Sequence, residues 1–326
     1  MRRRGLNIRK SLLGLILPAL RRLPPRLATR AMARIGRAEY DLLPGVRHRV
    51  DAAVLRGETY FGGHWDRAET GRALLGNHIL WRTRDRLLDG LDASGIGPLF
   101  RVEGRDRLDE AVSRGRGVVL LGNHFGSHMM PSHWLAHQGY ELRLFMERPR
   151  HISKFLSRRF EADGQRGLFL SRSATPAESA GAVLRAAKAL RAGAVMLVAG
   201  DVRTAGPNSV PARFLGGDFR FSSTWALLAS LAGAPAVPSF GRVEPDGTHV
   251  VEFLDPIDVG PEARRPEGAA SYVQRALDAV EERVRRHPAH SNDYFFWADE
   301  PAAAPPSARP LPSLQPEVSP RCGSAC

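Results

Sequence analysis

The chain has 326 residues, of which 43% are hydrophobic, so it can bury a sizeable core in one large α/β domain or two smaller ones. Its 47 lysines and arginines outnumber 34 acidic residues, and the formal net charge of +13 indicates an anionic partner such as a membrane surface, a phosphorylated lipid or a nucleic acid. The two cysteines, Cys322 and Cys326, follow a proline-rich run, which excludes a disulfide framework in the folded part and a cysteine metal site.

The N-terminal segment combines arginines with a short apolar stretch. Three arginines at positions 2–4 precede the apolar residues 12–20, and Arg21 and Arg22 follow them. A transmembrane helix needs roughly 20 apolar residues, so this stretch is too short to span a membrane. We predict that residues 1–36 form a basic amphipathic anchor on an anionic leaflet, with a signal peptide or a helix packed on the domain as alternatives. The basic flanks favour the cytoplasmic face.

The remaining chain alternates between helical and strand-like patterns. Residues 37–95 have apolar positions at helical spacing, whereas residues 118–121 form a continuous apolar run, as expected for a strand buried on both faces. Later strands are predicted at residues 141–146, 168–171, 195–199, 236–243 and 249–253, and helices at 127–138, 153–162, 176–193, 222–232 and 269–286. This alternation predicts an α/β domain over residues 37–300.

Two stretches rich in glycine or proline are predicted to lack regular structure. A long loop with Pro207, Pro211, Gly216 and Gly217 precedes the helix at residue 222. Residues 301–326 form a low-complexity proline-rich tail that we expect to be disordered.

His124 and Asp201 directly follow the two most convincing buried strands. Because ligands of open α/β sheets gather at the carboxyl ends of strands, we expect the two residues to face one cleft. A histidine there can act as general base on a hydroxyl, and the adjacent helix start supplies backbone donors for an oxyanion. The alternative is that His124 and Asp201 only cap helices or stabilise turns.

The block around His124 carries a family resemblance. Residues 117–130, Gly-Val-Val-Leu-Leu-Gly-Asn-His-Phe-Gly-Ser-His-Met-Met, resemble the signature block of the bacterial lipid A biosynthesis acyltransferases and the related phosphatidylinositol mannoside acyltransferases. Further blocks agree in order and spacing over roughly residues 40–300: Arg148-Pro149, Arg158-Arg159, Gly200-Asp201-Val202, Phe214-Leu215-Gly216, the segment at 234–238 and His287-Pro288.

This resemblance implies a fold and an activity. The expected fold is a single lysophospholipid-acyltransferase-like α/β domain, with a mixed central sheet flanked by helices and an N-terminal amphipathic helix. The implied reaction transfers a fatty acyl group from acyl carrier protein or acyl-CoA to a lipid hydroxyl, as in lipid A or glycolipid biosynthesis, at the cytoplasmic face of the bacterial inner membrane. In that family the histidine deprotonates the acceptor, and an acidic residue five positions later orients it.

The chain departs from this family pattern at position 129. Met129 replaces the acidic residue and cannot pair with the imidazole. Three interpretations follow. A remote carboxylate such as Asp201 or Glu147 replaces the acid, with His128 as a further candidate partner of His124; or His124 works alone; or the protein is a catalytically silent homologue that binds acyl chains or acyl carrier protein.

Several residues are candidates for substrate binding. The guanidinium groups of Arg148, Arg158 and Arg159 suit phosphate, and Arg203 and Arg213 are candidates for binding acidic head groups; a solvated helix face is the alternative for arginines on helices. The backbone of Phe125, Gly126 and Ser127 suits the oxyanion. The aromatic run at 294–297 replaces a basic closing block of the family and is predicted to fasten the last helix to the domain. No nucleic-acid motif or Gly-x-Ser-x-Gly elbow occurs in the sequence, and the prediction includes no metal and no cofactor.

Overall fold

The computed structural model describes residues 16–88, 91, 93–147, 156, 167–170 and 176–299. Three long helices come first, and the other helices alternate with the strands. The helices are α1 Pro25–Leu42, α2 Pro44–Phe61, α3 Arg67–Leu88, α4 Ala93–Ile96, α5 Arg105–Ser113, α6 Met130–His137, α7 Pro176–Arg191, α8 Thr224–Ala232 and α9 Pro266–Arg286, with short 3₁₀ helices at Gly97–Leu99, Pro261–Arg264, Pro288–His290 and Tyr294–Asp299.

Nine strands form two sheets in the described part of the chain. They are β1 Phe100–Glu103, β2 Val118–Gly122, β3 Leu142–Glu147, β4 Gly167–Leu170, β5 Val195–Ala199, β6 Ser209–Phe214, β7 Gly217–Ser222, β8 Ala236–Val243 and β9 His249–Phe253. The central sheet has the order β1-β9-β8-β2-β5-β3-β4, and β6 and β7 form a separate hairpin. Only the β8–β9 pairing within this sheet is antiparallel, so the sheet is mixed, as predicted.

The central strands are apolar on both faces because both faces are covered by helices. In β2, Val119 and Leu121 point into one core and Val118 and Leu120 into the other. Strand β5 divides its side chains in the same way. The predicted α/β domain with a mixed sheet between helices is therefore confirmed. The strands β2 and β5 are continuously apolar because both of their faces are buried.

Most strand predictions agree with the structure, but one loop prediction is wrong. Strands β5, β8 and β9 have the predicted limits. The segment predicted as a long loop instead contains the β6–β7 hairpin, which buries Phe214 and Phe221. Leu215 and Gly216 form its two-residue turn, both with positive φ. A two-residue turn of this kind requires the left-handed conformation, which glycine adopts easily. Gly216, which indicated a loop in the sequence, therefore forms part of the hairpin turn.

The N-terminal helices pack on one another and on the domain. Residues 16–20 are helical, and α1 crosses the predicted boundary at residue 36 without a break. Leu17, Met32 and Ile79 share an apolar cluster with Val243 of β8. Within the described ranges, no helix is long and apolar enough to cross a membrane. Residues 1–15, the tail at 301–326 and, apart from Leu156, the predicted helix at 153–162 lie outside the described residues.

Candidate active site

The sheet topology brings His124 and Asp201 together. Strands β2 and β5 are parallel neighbours, and their last residues, Gly122 and Ala199, are paired across the ladder. His124 and Asp201 each lie two residues beyond these paired ends. Because parallel strands end at the same edge of a sheet, the two side chains emerge side by side.

The carboxylate of Asp201 contacts both the side chain and the backbone of His124. The imidazole Nδ1 lies 3.0 Å from Oδ1 and 3.1 Å from Oδ2. The His124 amide also donates to Oδ2 at 2.7 Å. The Asp201 side chain is 1% exposed, whereas that of His124 is 44% exposed. The carboxylate therefore holds Nδ1 at the buried side of the ring, and Nε2 is the nitrogen directed away from it.

Each member of the pair shifts the protonation of the other. The negative charge of Asp201 raises the pKa of His124 above its usual value, although burial opposes this shift. Burial raises the pKa of Asp201, but the His124 imidazole and the hydrogen bonds from His124 and Tyr294 outweigh it and hold this pKa below its usual value. The pair therefore combines a buried carboxylate with an imidazole that is a stronger base than a free histidine.

The closing segment of the domain completes the site. The Tyr294 hydroxyl donates to Asp201 Oδ2 at 2.5 Å and accepts from the His124 amide at 2.9 Å. Asn292 Nδ2 donates to the carbonyl oxygens of His124 at 2.6 Å and Gly126 at 2.8 Å. The sequence predicted neither role, because Tyr294 begins an aromatic run whose prediction was apolar packing. The polar Ser291-Asn292-Asp293 before it was the only local signal of a further function.

The backbone amides predicted as oxyanion donors have hydrogen-bond partners within the protein. The amide of Phe125 donates to Asn123 Oδ1 at 3.1 Å, that of Gly126 to the His290 carbonyl at 2.7 Å and that of Ser127 to the Gly241 carbonyl at 2.6 Å. Gly126 has a φ of 49°, and a Cβ there would lie 2.3 Å from the Gly241 oxygen. Gly126 and Ser127 therefore hold the His124 loop against the closing segment and β8, whereas the Phe125 amide is bonded within the loop.

His128 and Met129 occupy different environments at the start of α6. The imidazole ring of His128 lies 5.6 Å from that of His124, and its Nδ1 accepts a hydrogen bond from Trp81 Nε1 at 2.6 Å. Asp201, and not His128, is thus the partner of His124 Nδ1. Met129 is 6% exposed and belongs to the apolar core on the α5–α6 side of the sheet. Its side chain fills that core instead of facing the histidine.

The arginines predicted to bind substrate are not brought together at the His124–Asp201 pair in the described part of the chain. Arg148, Arg158 and Arg159 lie outside the described residues. Arg213 lies on β6 with a largely exposed side chain, 3.8 Å from Asp218 across the hairpin. Arg203 stacks on Trp297, with its guanidinium carbon 4.3 Å from the ring centre. The structure therefore does not place Arg213 in contact with the His124–Asp201 pair.

The described residues also bear on the binding of an acyl chain or a metal ion. A small apolar cavity beneath Asn123 and Gly200 has about 10 Å³ of space, room for about one water and too little for an acyl chain. Within the ranges that the structure describes, no group of three or more histidine, cysteine or acidic side chains is arranged to hold a metal ion.

The comparison with known families identifies the family of the chain. The family model described as "bacterial lipid A biosynthesis acyltransferase" matches residues 78–297, about two thirds of the chain. The matched region contains His124, Asp201 and the closing segment with Tyr294. A search of the curated proteins gave no match. The chain belongs to the bacterial lipid A biosynthesis acyltransferase family.

Proposed function

We propose that this protein is an active acyltransferase that moves a fatty acyl group onto a lipid hydroxyl, with His124 as general base. The hydrogen bond between His124 Nδ1 and the buried Asp201 carboxylate carries the proposal. Asp201 supplies the carboxylate that position 129 lacks. Because this carboxylate contacts Nδ1, the other ring nitrogen, Nε2, is directed away from it. A histidine held in this way has the geometry of the base in a catalytic triad.

The chemistry is a transfer from a thioester. His124 Nε2 takes the proton of the acceptor hydroxyl as its oxygen attacks the acyl carbonyl. The tetrahedral intermediate collapses when the carbon–sulfur bond breaks, and the imidazolium returns the proton to the leaving thiolate. Asp201 stabilises the imidazolium between these two steps. We propose acyl carrier protein or acyl-CoA as the donor, and lipid A precursors or glycolipids as the acceptor class.

The alternative is a catalytically silent homologue that binds acyl chains or acyl carrier protein. The loss of the motif acid at Met129 favours it. Against it, a silent protein has no need of a buried aspartate paired with a half-exposed histidine, because burying an ionised carboxylate has a substantial free-energy cost. The Asp201 pairing therefore supports catalysis over silent binding.

A single-turnover assay tests this choice. Purified protein is mixed with a radiolabelled acyl-thioester and a bacterial lipid extract, and acyl-lipid product and free fatty acid are measured. We expect His124→Asn to lower the rate by about a hundred- to ten-thousand-fold. The matched control is His48→Asn, because His48 is an exposed histidine on α2. If no extract and no thioester gives a product or hydrolysis that depends on His124, the enzyme proposal fails and the silent alternative replaces it.

We also propose that the protein acts on an anionic membrane surface at the cytoplasmic face of the inner membrane. The excess of basic residues and the arginines at positions 2–4, 21 and 22 support this proposal. A lipid acceptor is consistent with action at a membrane surface, because the acyl chains of a lipid lie in the bilayer.

A further inference from the structure

We propose that Tyr294 is a positioning residue for the transfer reaction, and that its hydroxyl sets the basicity of His124 through the Asp201 carboxylate. This inference rests on the proposed function, because it assigns a role within the same site. Tyr294 does not need to touch either substrate, since it acts through Asp201.

The first argument comes from burial. Tyr294 is 2% exposed, and its ring packs against Phe214 and Trp297 at centroid distances of 5.1 Å and 5.0 Å. A phenylalanine would make these ring contacts equally well. The hydroxyl adds its hydrogen bond to Asp201 and its acceptance of the backbone amides of His124 and Phe125. A buried hydroxyl needs hydrogen-bond partners, and here those partners are the Asp201 carboxylate and the backbone of the His124 loop.

The second argument comes from the distribution of charge on Asp201. Its carboxylate receives three donors: the Tyr294 hydroxyl, the His124 amide and the His124 imidazole. Each donor draws negative charge towards itself and weakens the attraction left for the others. When the phenol donor is lost, the carboxylate attracts the imidazolium more strongly. His124 then holds its proton to a higher pH.

The other charged and titratable groups near His124 set the background for this effect. Asp293, next to Tyr294, raises the pKa of His124 in the same direction as Asp201. His78 of α3 lies 3.8 Å from Asp293, and His128 lies beside the His124 ring. A Tyr294→Phe substitution alters none of these groups, so a change in the titration of His124 reports the loss of the phenol donor.

The experiment is an NMR titration of histidine-labelled protein, with His124→Gln used to assign one of the 11 histidines. We expect Tyr294→Phe to move the His124 midpoint upward by about half to one pH unit, and the acidic limb of kcat/KM to move with it. Tyr40→Phe is the matched control, because the Tyr40 hydroxyl donates to Asp51 at 2.5 Å away from the site. It should leave the midpoint unchanged.

A second variant tests the sign. Replacing Tyr294 with 2,3-difluorotyrosine keeps the ring and makes the phenol a stronger donor, so the His124 midpoint should move downward. An unchanged midpoint in both Tyr294 variants would overturn the inference, and so would an activity loss with no displacement of the pH profile. The titration needs no substrate: displaced midpoints without any turnover support the role of Tyr294 but contradict the proposed function.

Discussion

Met129 stands where the family motif has an acid, and in the proposed mechanism Asp201 supplies the carboxylate instead. The Met129 side chain packs in the apolar core beside α6. The carboxylate comes instead from the end of the neighbouring strand, where Asp201 contacts both the amide and the imidazole of His124. A carboxylate at Nδ1 fixes the tautomer in which Nε2 is free to accept a proton.

Asp201→Asn tests this exchange. The amide keeps the shape of the side chain but removes the charge, so the rate should fall by about a hundred- to ten-thousand-fold. The pKa of His124 should also fall, because its upward shift comes first from the charge of Asp201 and burial opposes it. Since a base is active above its pKa, the remaining activity should extend to lower pH than in the wild type. A pH profile of kcat/KM across the range where histidine titrates measures both effects.

The double variant Asp201→Asn, Met129→Glu supplies the decisive comparison. If the acid at position 129 were able to reach His124, the glutamate would restore activity. Because Met129 is buried among apolar side chains, we expect no rescue and a loss of unfolding free energy of about 3 kcal/mol. Rescue of the rate would show that Asp201 is not the sole source of the carboxylate.

The site also shows which residues a sequence can reveal. His124 and Asp201 were predictable because each follows a strand whose apolar run marks it as buried on both faces. Tyr294 and Asn292 were not, because they reach the His124 loop from positions 170 and 168 residues further along the chain. The sequence around Asn292 and Tyr294 indicates only that an aromatic segment packs on the domain. Hydrogen bonds between residues so far apart in the chain leave no periodic pattern in a single sequence.

At the scale of helices and strands, too, the elements with a clear local sequence pattern were the ones predicted correctly. Strands β5, β8 and β9 were predicted with their limits, since each is a short segment with β-branched or aromatic residues between turn residues. The β6–β7 hairpin was missed because Pro211 and two glycines indicated a loop, although the alternation of buried and exposed residues is typical of strands. Proline is tolerated there because the hairpin is a two-stranded edge outside the central sheet.

The contact between α1 and α3 depends on a glycine. A Cβ at Gly36 would lie 2.3 Å from the Leu75 carbonyl oxygen, so Gly36→Ala must push the two helices apart. We expect it to lower the free energy of unfolding by about 1–3 kcal/mol in urea denaturation. Gly45→Ala on α2 is the control, because a Cβ at Gly45 would have no described atom within 4 Å. It should be neutral or stabilising by up to about 1 kcal/mol. Equal effects of the two substitutions would contradict close helix packing at Gly36.

At the scale of the whole molecule, the charge distribution separates the membrane proposal from a general preference for anions. A net charge of +13 attracts any polyanion, but the proposed anchor places arginines on both sides of an apolar stretch, at positions 2–4 and at 21 and 22. A basic residue near an anionic leaflet contributes about 1 kcal/mol to binding, and this contribution weakens when salt screens the charges. Membrane binding by the anchor should therefore depend on where the arginines lie as well as on how many there are.

Co-sedimentation with lipid vesicles tests this dependence. We expect binding to vesicles that contain phosphatidylglycerol, little binding to pure phosphatidylcholine, and release at high salt. Reversing Arg2, Arg3 and Arg4 to glutamate should weaken binding by more than about a hundred-fold. The matched control reverses the exposed Arg264, Arg265 and Arg275, which lowers the net charge equally but far from the N-terminus in sequence. This control should bind almost as the wild type does, since the apolar stretch and its arginines are intact. Equal weakening by both variants would mean that net charge alone drives binding, and the N-terminal anchor would have to be abandoned.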